Sequence, residues 1–241
     1  MSSVSAVNAV ALAAILAING VVIAGGGGGG SPLFVGASAN SSSANDTTTV
    51  TAPLSVSAGN LIIACVSSQE AAFNPTTVTG VTDTAGNTYT ACTALSDGGS
   101  GVYTQIWYAY NVTGNAANVV TATWSGNTRY KTLVQLQFSG ADTSAAVLVA
   151  QSTGTAAGAT VVTSGNLTTA TDSILVAIAS SGNDRSWTPD TGFTEDYDIN
   201  IALGGGSGMA QHKLQTGAGT YTVSATAASA ANLGIAAAAF K

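Results

Sequence analysis

The chain contains one strand pattern twice. Residues 61–68 read LIIACVSS, and residues 174–181 read ILVAIASS. A longer match joins 118–138, NVVTATWSGNTRYKTLVQLQF, to 220–240, TYTVSATAASAANLGIAAAAF. Both long segments close on a phenylalanine, Phe138 and Phe240. Two copies of one strand set present two equivalent apolar faces, and these bury best against each other. The pseudo-repeats, about 47–140 and 159–241, are therefore expected to form one β-sandwich over 31–241 rather than two separate domains.

From about Leu33 the pattern has period two, the signature of half-buried strands. The first repeat predicts strands near 47–56, 60–67, 76–82, 87–93, 103–111, 118–124 and 129–138. The second predicts them near 146–152, 159–163, 173–180, 209–215, 219–226 and 232–240. Turn signals separate most of them: Ala58-Gly59-Asn60, Ala85-Gly86-Asn87, Ser125-Gly126-Asn127 and Thr216-Gly217-Ala218-Gly219. Many short strands without a convincing helix mean an all-β fold, a two-sheet jelly-roll-like sandwich.

Composition narrows the setting. Only 7% of residues are charged, while 46% are hydrophobic. A cytosolic monomer normally keeps a charged surface for solubility. A surface of Ser, Thr, Asn and Gly suits a rigid β protein within an assembly or outside a cell. Regular β-branched runs at this hydrophobicity exclude a disordered chain. The net charge is −6, and the five bases are Arg129, Lys131, Arg185, Lys213 and Lys241. They form no cluster, which excludes nucleic acid as a partner.

Residues 1–30 break the pattern. Residues 6–30 read AVNAVALAAILAINGVVIAGGGGGG, an uncharged apolar run ending in Gly25 to Gly30. The first Lys or Arg is Arg129. The basic start of a secretion signal is therefore missing, and the segment is expected to stay on the chain. As one helix, residues 4–24 would span ~31 Å, about a bilayer core. Asn8 and Asn19 interrupt that helix, Asn19-Gly20 stops it, and no flanking cation or aromatic belt accompanies it. These features count against a membrane span. What remains is a short helix over about 3–18, with Val4, Val7, Ala11, Ala14 and Ile18 at seam spacing. Val10, Leu12 and Ile15 make its other side apolar too, and Val21, Val22 and Ile23 read as extended. Six glycines give a coil of roughly 13 Å. The segment reads as an assembly arm on a hinge, burying its faces in a homotrimer at a symmetry axis.

The order TAPLSVSAGNLIIACVS, VTDTAGNTYT, IWYAYNVTG, YKTLVQLQFSGAD, SGNLTTATDSILVAIAS, TPDTGFTE and GTYTVSATAASAANLGIAAAAF carries a resemblance over residues 47–241. It resembles a jelly-roll, lectin-like β-sandwich domain of phage virion proteins, of the capsid-decoration or head-fibre type, and of bacterial surface proteins. The shared residues are strand and turn positions, so the resemblance implies a fold first. With the low charge and the arm, it implies a virion structural protein on the particle exterior, bound to itself and to the major capsid or another virion protein. The alternatives are a secreted or surface-anchored bacterial module that binds host-surface glycan, and a membrane-anchored viral spike.

Candidate chemistry is sparse. In YTQIWYAYN, alternation places Ile106, Tyr108 and Tyr110 on one face and Tyr103, Gln105 and Trp107 on the other. One face must be core. The second could stack on a glycan or a protein partner, or pack beneath a neighbouring loop or subunit. In PDTGFTEDYD, Asp190, Glu195, Asp196 and Asp198 could hold calcium, though EF-hand spacing is lacking and an acidic loop is usually solvated. His212 is the one histidine, and a serine nucleophile would need it as base. No GxSxG elbow is present, so neither catalysis nor a cofactor is expected. The Gly25 to Gly30 run lacks the Gly-Lys-Ser/Thr ending of a phosphate loop. Cys65 and Cys92 could form a disulfide, but two small buried thiols are the favoured reading.

Overall fold

The computed structural model describes residues 31–69, 76–97, 101–201 and 205–241. The assembly-arm residues Val4, Val7, Ala11, Ala14, Ile18, Val21, Val22 and Ile23 lie outside the described residues. Strands of the first repeat are β1 (Leu33–Ser42), β2 (Asp46–Val50), β3 (Leu54–Val56), β4 (Leu61–Gln69), β5 (Val78–Asp83), β6 (Thr90–Ala91), β7 (Leu95–Asp97), β8 (Val102–Ala109), β9 (Asn115–Asn118), β10 (Val120–Thr128) and β11 (Lys131–Ser139). Those of the second are β12 (Leu148–Thr163), β13 (Leu167–Thr169), β14 (Ser173–Ser181), β15 (Trp187–Pro189), β16 (Thr194–Ile201), β17 (Gly206–Gln215), β18 (Gly219–Tyr221) and β19 (Ser224–Phe240).

The duplication read in the sequence is a duplication of topology. One large antiparallel sheet has the order β1-β11-β4-β8-β6, with β7 also on β8. The other has the order β12-β19-β14-β17-β16, with β15 on β19. Matched residues hold matched places. Leu61 lies opposite Phe138, and Ile174 lies opposite Phe240. The small sheets repeat too, β3-β9 in one half and β13-β18 in the other. Where the first repeat breaks into β1 and β2 on one side and β10 and β11 on the other, the second runs on as the long strands β12 and β19.

The two large sheets face each other across a central core. Along β4, Leu61, Ile63 and Cys65 enter that core, while Ile62, Ala64 and Val66 enter a second core beneath the small sheets. Along β14, Ile174, Val176 and Ile178 point centrally, and Leu175, Ala177 and Ala179 point outward into a third core. Every residue of both strands is buried, so period-two alternation there separates two apolar environments rather than core from water. Size is complementary across the centre. Facing Ile106, Tyr108, Leu136 and Phe138 on β8 and β11, the second repeat sets small Ala210, Ala236 and Ala238 beside Ile174, Val176, Ile178 and Phe240.

The sheets approach closely at the far end of this interface. A Cβ on Gly208 would lie 2.8 Å from Ser67 Oγ, and one on Gly234 would lie 2.6 Å from Leu95 Cδ2. Both glycines belong to the second repeat and both obstructing side chains to the first. The strand at 87–93 shrinks to Thr90–Ala91 on the sheet edge, and the stretches at 146–152 and 159–163 fuse into β12. Five strands lie outside the predicted ranges: β1, β7, β13, β15, and β16 in the segment read as an acidic loop. β16 sits at a sheet edge, where polar side chains face water and the apolar alternation fades.

Candidate functional site

The described chain enters along β1, and its entry is apolar and exposed. Leu33, Phe34 and Val35 are 60%, 38% and 49% exposed. Ser31 Oγ donates to Asp172 Oδ2 at 3.3 Å, and Asp172 Oδ1 accepts from the Gly217 amide at 2.7 Å. The entry is thereby tied to the end of the second repeat's sheet. Phe34 stacks on His212, with ring centroids 4.4 Å apart. Leu214, exposed, is two residues further along β17 and so on the same face as His212. Phe34 and Leu214 thus leave apolar surface open beside His212, and Leu33 and Val35 are exposed on either side of Phe34 along β1.

His212 has a structural explanation in the repeat. It lies opposite Val176, as Tyr108 lies opposite Ile63, and Val176 matches Ile63 in the sequence repeat. His212 therefore takes the place of a core aromatic. Phe138 of the first repeat packs edge-on against His212 at 5.4 Å, and its counterpart Phe240 packs edge-on against Tyr108 at 5.3 Å. The imidazole's polar edge is met by Asp196, with Nδ1 to Oδ1 at 2.7 Å. Asp196 falls where the β16–β17 register shifts, between Glu195 and Tyr197, and its carboxylate is buried. Burial raises its pKa, and the hydrogen bond and charge of His212 oppose that rise. The other carboxylate oxygen, Oδ2, has no hydrogen-bond partner among the described residues.

Cys65 shares this central core. Burial, and then the charge of Asp196, hold its thiol well above the usual range. A thiol kept protonated and sealed from solvent is a poor nucleophile, even with a histidine–carboxylate pair in the same core. Cys65 lies opposite Ile106 on β8, while the Cys92 amide donates to the Ile106 carbonyl from the far side at 2.8 Å. The cysteines are thus two strand spacings apart, ~9–10 Å, beyond the roughly 7 Å that a disulfide spans. Both are free and buried, and burial pushes the Cys92 thiol up to about 12.

Tyr103, Gln105 and Trp107 share a face as their spacing predicts, but that face is not a surface strip. The first repeat's small sheets cover it. Tyr103 and Gln105 are buried and Trp107 is half-buried. Gln105 Oε1 accepts from Tyr103 Oη at 2.5 Å and from Trp107 Nε1 at 2.8 Å, and Gln105 Nε2 donates to the Cys92 carbonyl at 2.8 Å. Burial pushes the Tyr103 hydroxyl up to about 12. The three side chains form an internal polar network, which corrects the expectation of an exposed contact.

The four acids do not converge either. Asp190 accepts from the Thr191 and Ser224 amides at 2.7 and 2.8 Å. Asp198 accepts from the Trp187 amide at 2.9 Å, and Asp196 faces His212. Glu195 pairs across the strand with Gln211, not with these carboxylates. Among the described residues no group of three or more His, Cys, Asp or Glu is placed to hold a metal ion. Backbone amides already engage Asp190 and Asp198, which corrects the calcium reading. Among the described residues no helix is long and apolar enough to cross a membrane.

Among the described residues a cleft opens at the Ala85-Gly86-Asn87 turn. Gly86, Asn87, Thr88, Thr90, Tyr110 and Asn111 line it, with a volume of about 350 Å³. Asp83 braces its wall, accepting from the Asn87 amide at 2.9 Å, from Asn87 Nδ2 at 2.8 Å and from Tyr89 Oη at 3.1 Å. Asn87 Oδ1 accepts from the Thr113 amide at 2.7 Å, joining the two loops that flank the cleft.

No protein-family model, curated protein or solved structure matches the chain.

Proposed function

We propose that this chain is a structural protein of a phage particle, a capsid decoration or head-fibre protein on the exterior. In this reading it has no catalytic role. It assembles as a homotrimer through residues 4–24 and docks on the major capsid or another virion protein. The observation that carries the reading is the exposed apolar surface of Leu33, Phe34, Val35 and Leu214 at the entry of the chain. It continues the apolar character of residues 4–24 onto the sandwich. Three successive exposed apolar side chains at the start of β1 suit a protein contact. The doubly buried sheets supply a rigid body behind that contact.

The test uses the full chain. Burying a Val or Ile stabilises an interface by roughly 1.5–3 kcal/mol per chain, and a charge in a dry seam costs more than the burial lost. Light scattering should report a trimer in the absence of lipid. Val7→Asp with Ile18→Asp should give a monomer whose sandwich melts as before. Antibody labelling should then place the native protein on the outside of particles. The same oligomer before and after the double substitution would refute the arm. A protein needing detergent to stay soluble would favour the membrane-anchored spike.

A further inference from the structure

The cleft beside Tyr110 differs from its counterpart in the second repeat, and that difference points to a ligand. The β4–β8 and β14–β17 registers, continued one residue past Ile62–Ala109, set Tyr110 opposite Leu61 as Leu214 is set opposite Ile174. The turns match as well. The Gly86 amide bonds to the Asp83 carbonyl, and the Phe193 amide bonds to the Asp190 carbonyl. Two copies of one scaffold thus hold different side chains at one place. The second repeat has Leu214 and Gln215, and the first has Tyr110 and Asn111. Tyr110 is packed against the central core, while Leu214 is exposed.

The first repeat's version has the chemistry of a saccharide site. Its lining contains no charged side chain. Tyr110 packs one part of its ring against the central core and leaves the rest in the cleft, an apolar platform with a polar rim. Around it stand the amide of Asn111 and the hydroxyl of Thr88, while the Asn87 amide is bonded to Asp83 and Thr113 and the Thr90 hydroxyl to Tyr108. Such groups both donate and accept, as a sugar's hydroxyls require. Asn111 is held at φ +48°, in the left-handed region that asparagine tolerates. The Asp83–Asn87–Thr113 hydrogen bonds fix the loop before any ligand arrives, which limits the ordering cost of binding. A volume of about 350 Å³ falls at the small end of ligand sites, roughly 300–1,000 Å³. That suits a mono- or disaccharide unit rather than a long buried chain.

We propose that the cleft formed by Asn87, Thr88, Thr90, Tyr110 and Asn111 binds a neutral saccharide unit of a glycan. This goes beyond the assembly role and does not depend on it. The site lies in the first repeat, and binding is read out independently of oligomeric state.

Saturation-transfer NMR on the full chain, with the methyl glycosides of glucose, galactose, mannose and N-acetylglucosamine, tests it. The expected result is saturable transfer from at least one of them, with dissociation constants of about 1 mM. Tyr110→Leu with Asn111→Gly copies the second repeat's leucine and relieves the positive φ, so the fold should persist. It should weaken binding at least tenfold. Tyr110→Phe keeps the platform and should retain most of it. Circular dichroism melting of each variant confirms the fold. Absence of transfer from all four glycosides would overturn the proposal. So would equal binding by the folded double variant, or binding confined to acidic sugars such as sialosides.

Discussion

The contact between Tyr108 and Phe240 decides whether the two repeats unfold as one body. The rings belong to different repeats and meet edge to face at 5.3 Å, with Phe240 fully buried. Replacing either ring with leucine removes about three carbons from the central core. At about 0.8 kcal/mol per buried methylene-sized group, each substitution should cost roughly 2 kcal/mol. The edge-to-face geometry adds roughly 0.5–1.5 kcal/mol that both substitutions remove. In a double-mutant cycle the combined loss should therefore fall short of the sum by that amount. Urea denaturation followed by tryptophan fluorescence measures it. Trp107 and Trp124 lie in the first repeat and Trp187 in the second. In a Trp187→Phe background the signal reports the first repeat alone. Phe240→Leu lies in the second repeat, yet it should lower the midpoint seen by the first repeat's tryptophans. An unchanged midpoint there, with additive energies in the cycle, would refute the shared core.

Other consequences follow from buried polar groups. The Lys131 ammonium is buried and donates to the carbonyls of Ala44, Asp46 and Thr128 at 2.9, 3.0 and 2.7 Å while pairing with the Asp46 carboxylate. Lys131→Met keeps the stem but strands the buried Thr128 carbonyl. With the half-exposed Asp46 partner contributing little, a loss of about 2–3 kcal/mol is expected in urea denaturation, and a change below about 0.5 kcal/mol would contradict this. Asp196 has a folded-state pKa raised above its ordinary value of 3.8 by burial. As pH rises from there, the unfolded chain releases this proton first, so wild-type stability falls through that window. Asp196→Asn cannot titrate, so its stability relative to wild type should improve as pH rises from 3.8 through the raised folded-state value. Parallel stabilities over that range would show that Asp196 does not titrate there. Gly208→Val should press on Ser67 and Thr132 from across the interface and lower the melting temperature. An unchanged melting temperature would mean that the sheets can part there without loss.

Much of the fold was legible because duplication repeats its own evidence. LIIACVSS and ILVAIASS announce a common place, and β4 and β14 hold that place in their sheets. The internal alternation of Tyr103, Gln105 and Trp107 was legible too, but not what covers it. Period two distinguishes two faces of a strand and leaves open whether the second meets water or another layer. Only the small sheets, built from residues far away in the chain, settle that Tyr103 is internal. The edge strands were hard to read for the opposite reason. On β16 only Glu195 of the three acids faces solvent; Asp196 and Asp198 answer His212 and the Trp187 amide, partners distant in sequence, so the polar pattern reads as a loop.

The candidate sites were the least legible part. Nothing in MAQHKLQ says that His212 fills the place of Tyr108, since the correspondence runs through strand registers rather than local sequence. The same registers explain why the cleft escaped notice. Its signal is a difference between two copies, Tyr110 and Asn111 against Leu214 and Gln215, and those copies align only once both sheets are built. A duplicated fold holds its scaffold in the residues the repeats share, such as Phe138 and Phe240. Where matched scaffolds carry unmatched side chains, shared packing no longer accounts for the choice. In this chain two such departures are the apolar entry beside Leu214 and the polar cleft beside Tyr110. In the proposed readings the first meets protein surface and the second a hydroxyl-bearing ligand, so the two can be tested separately.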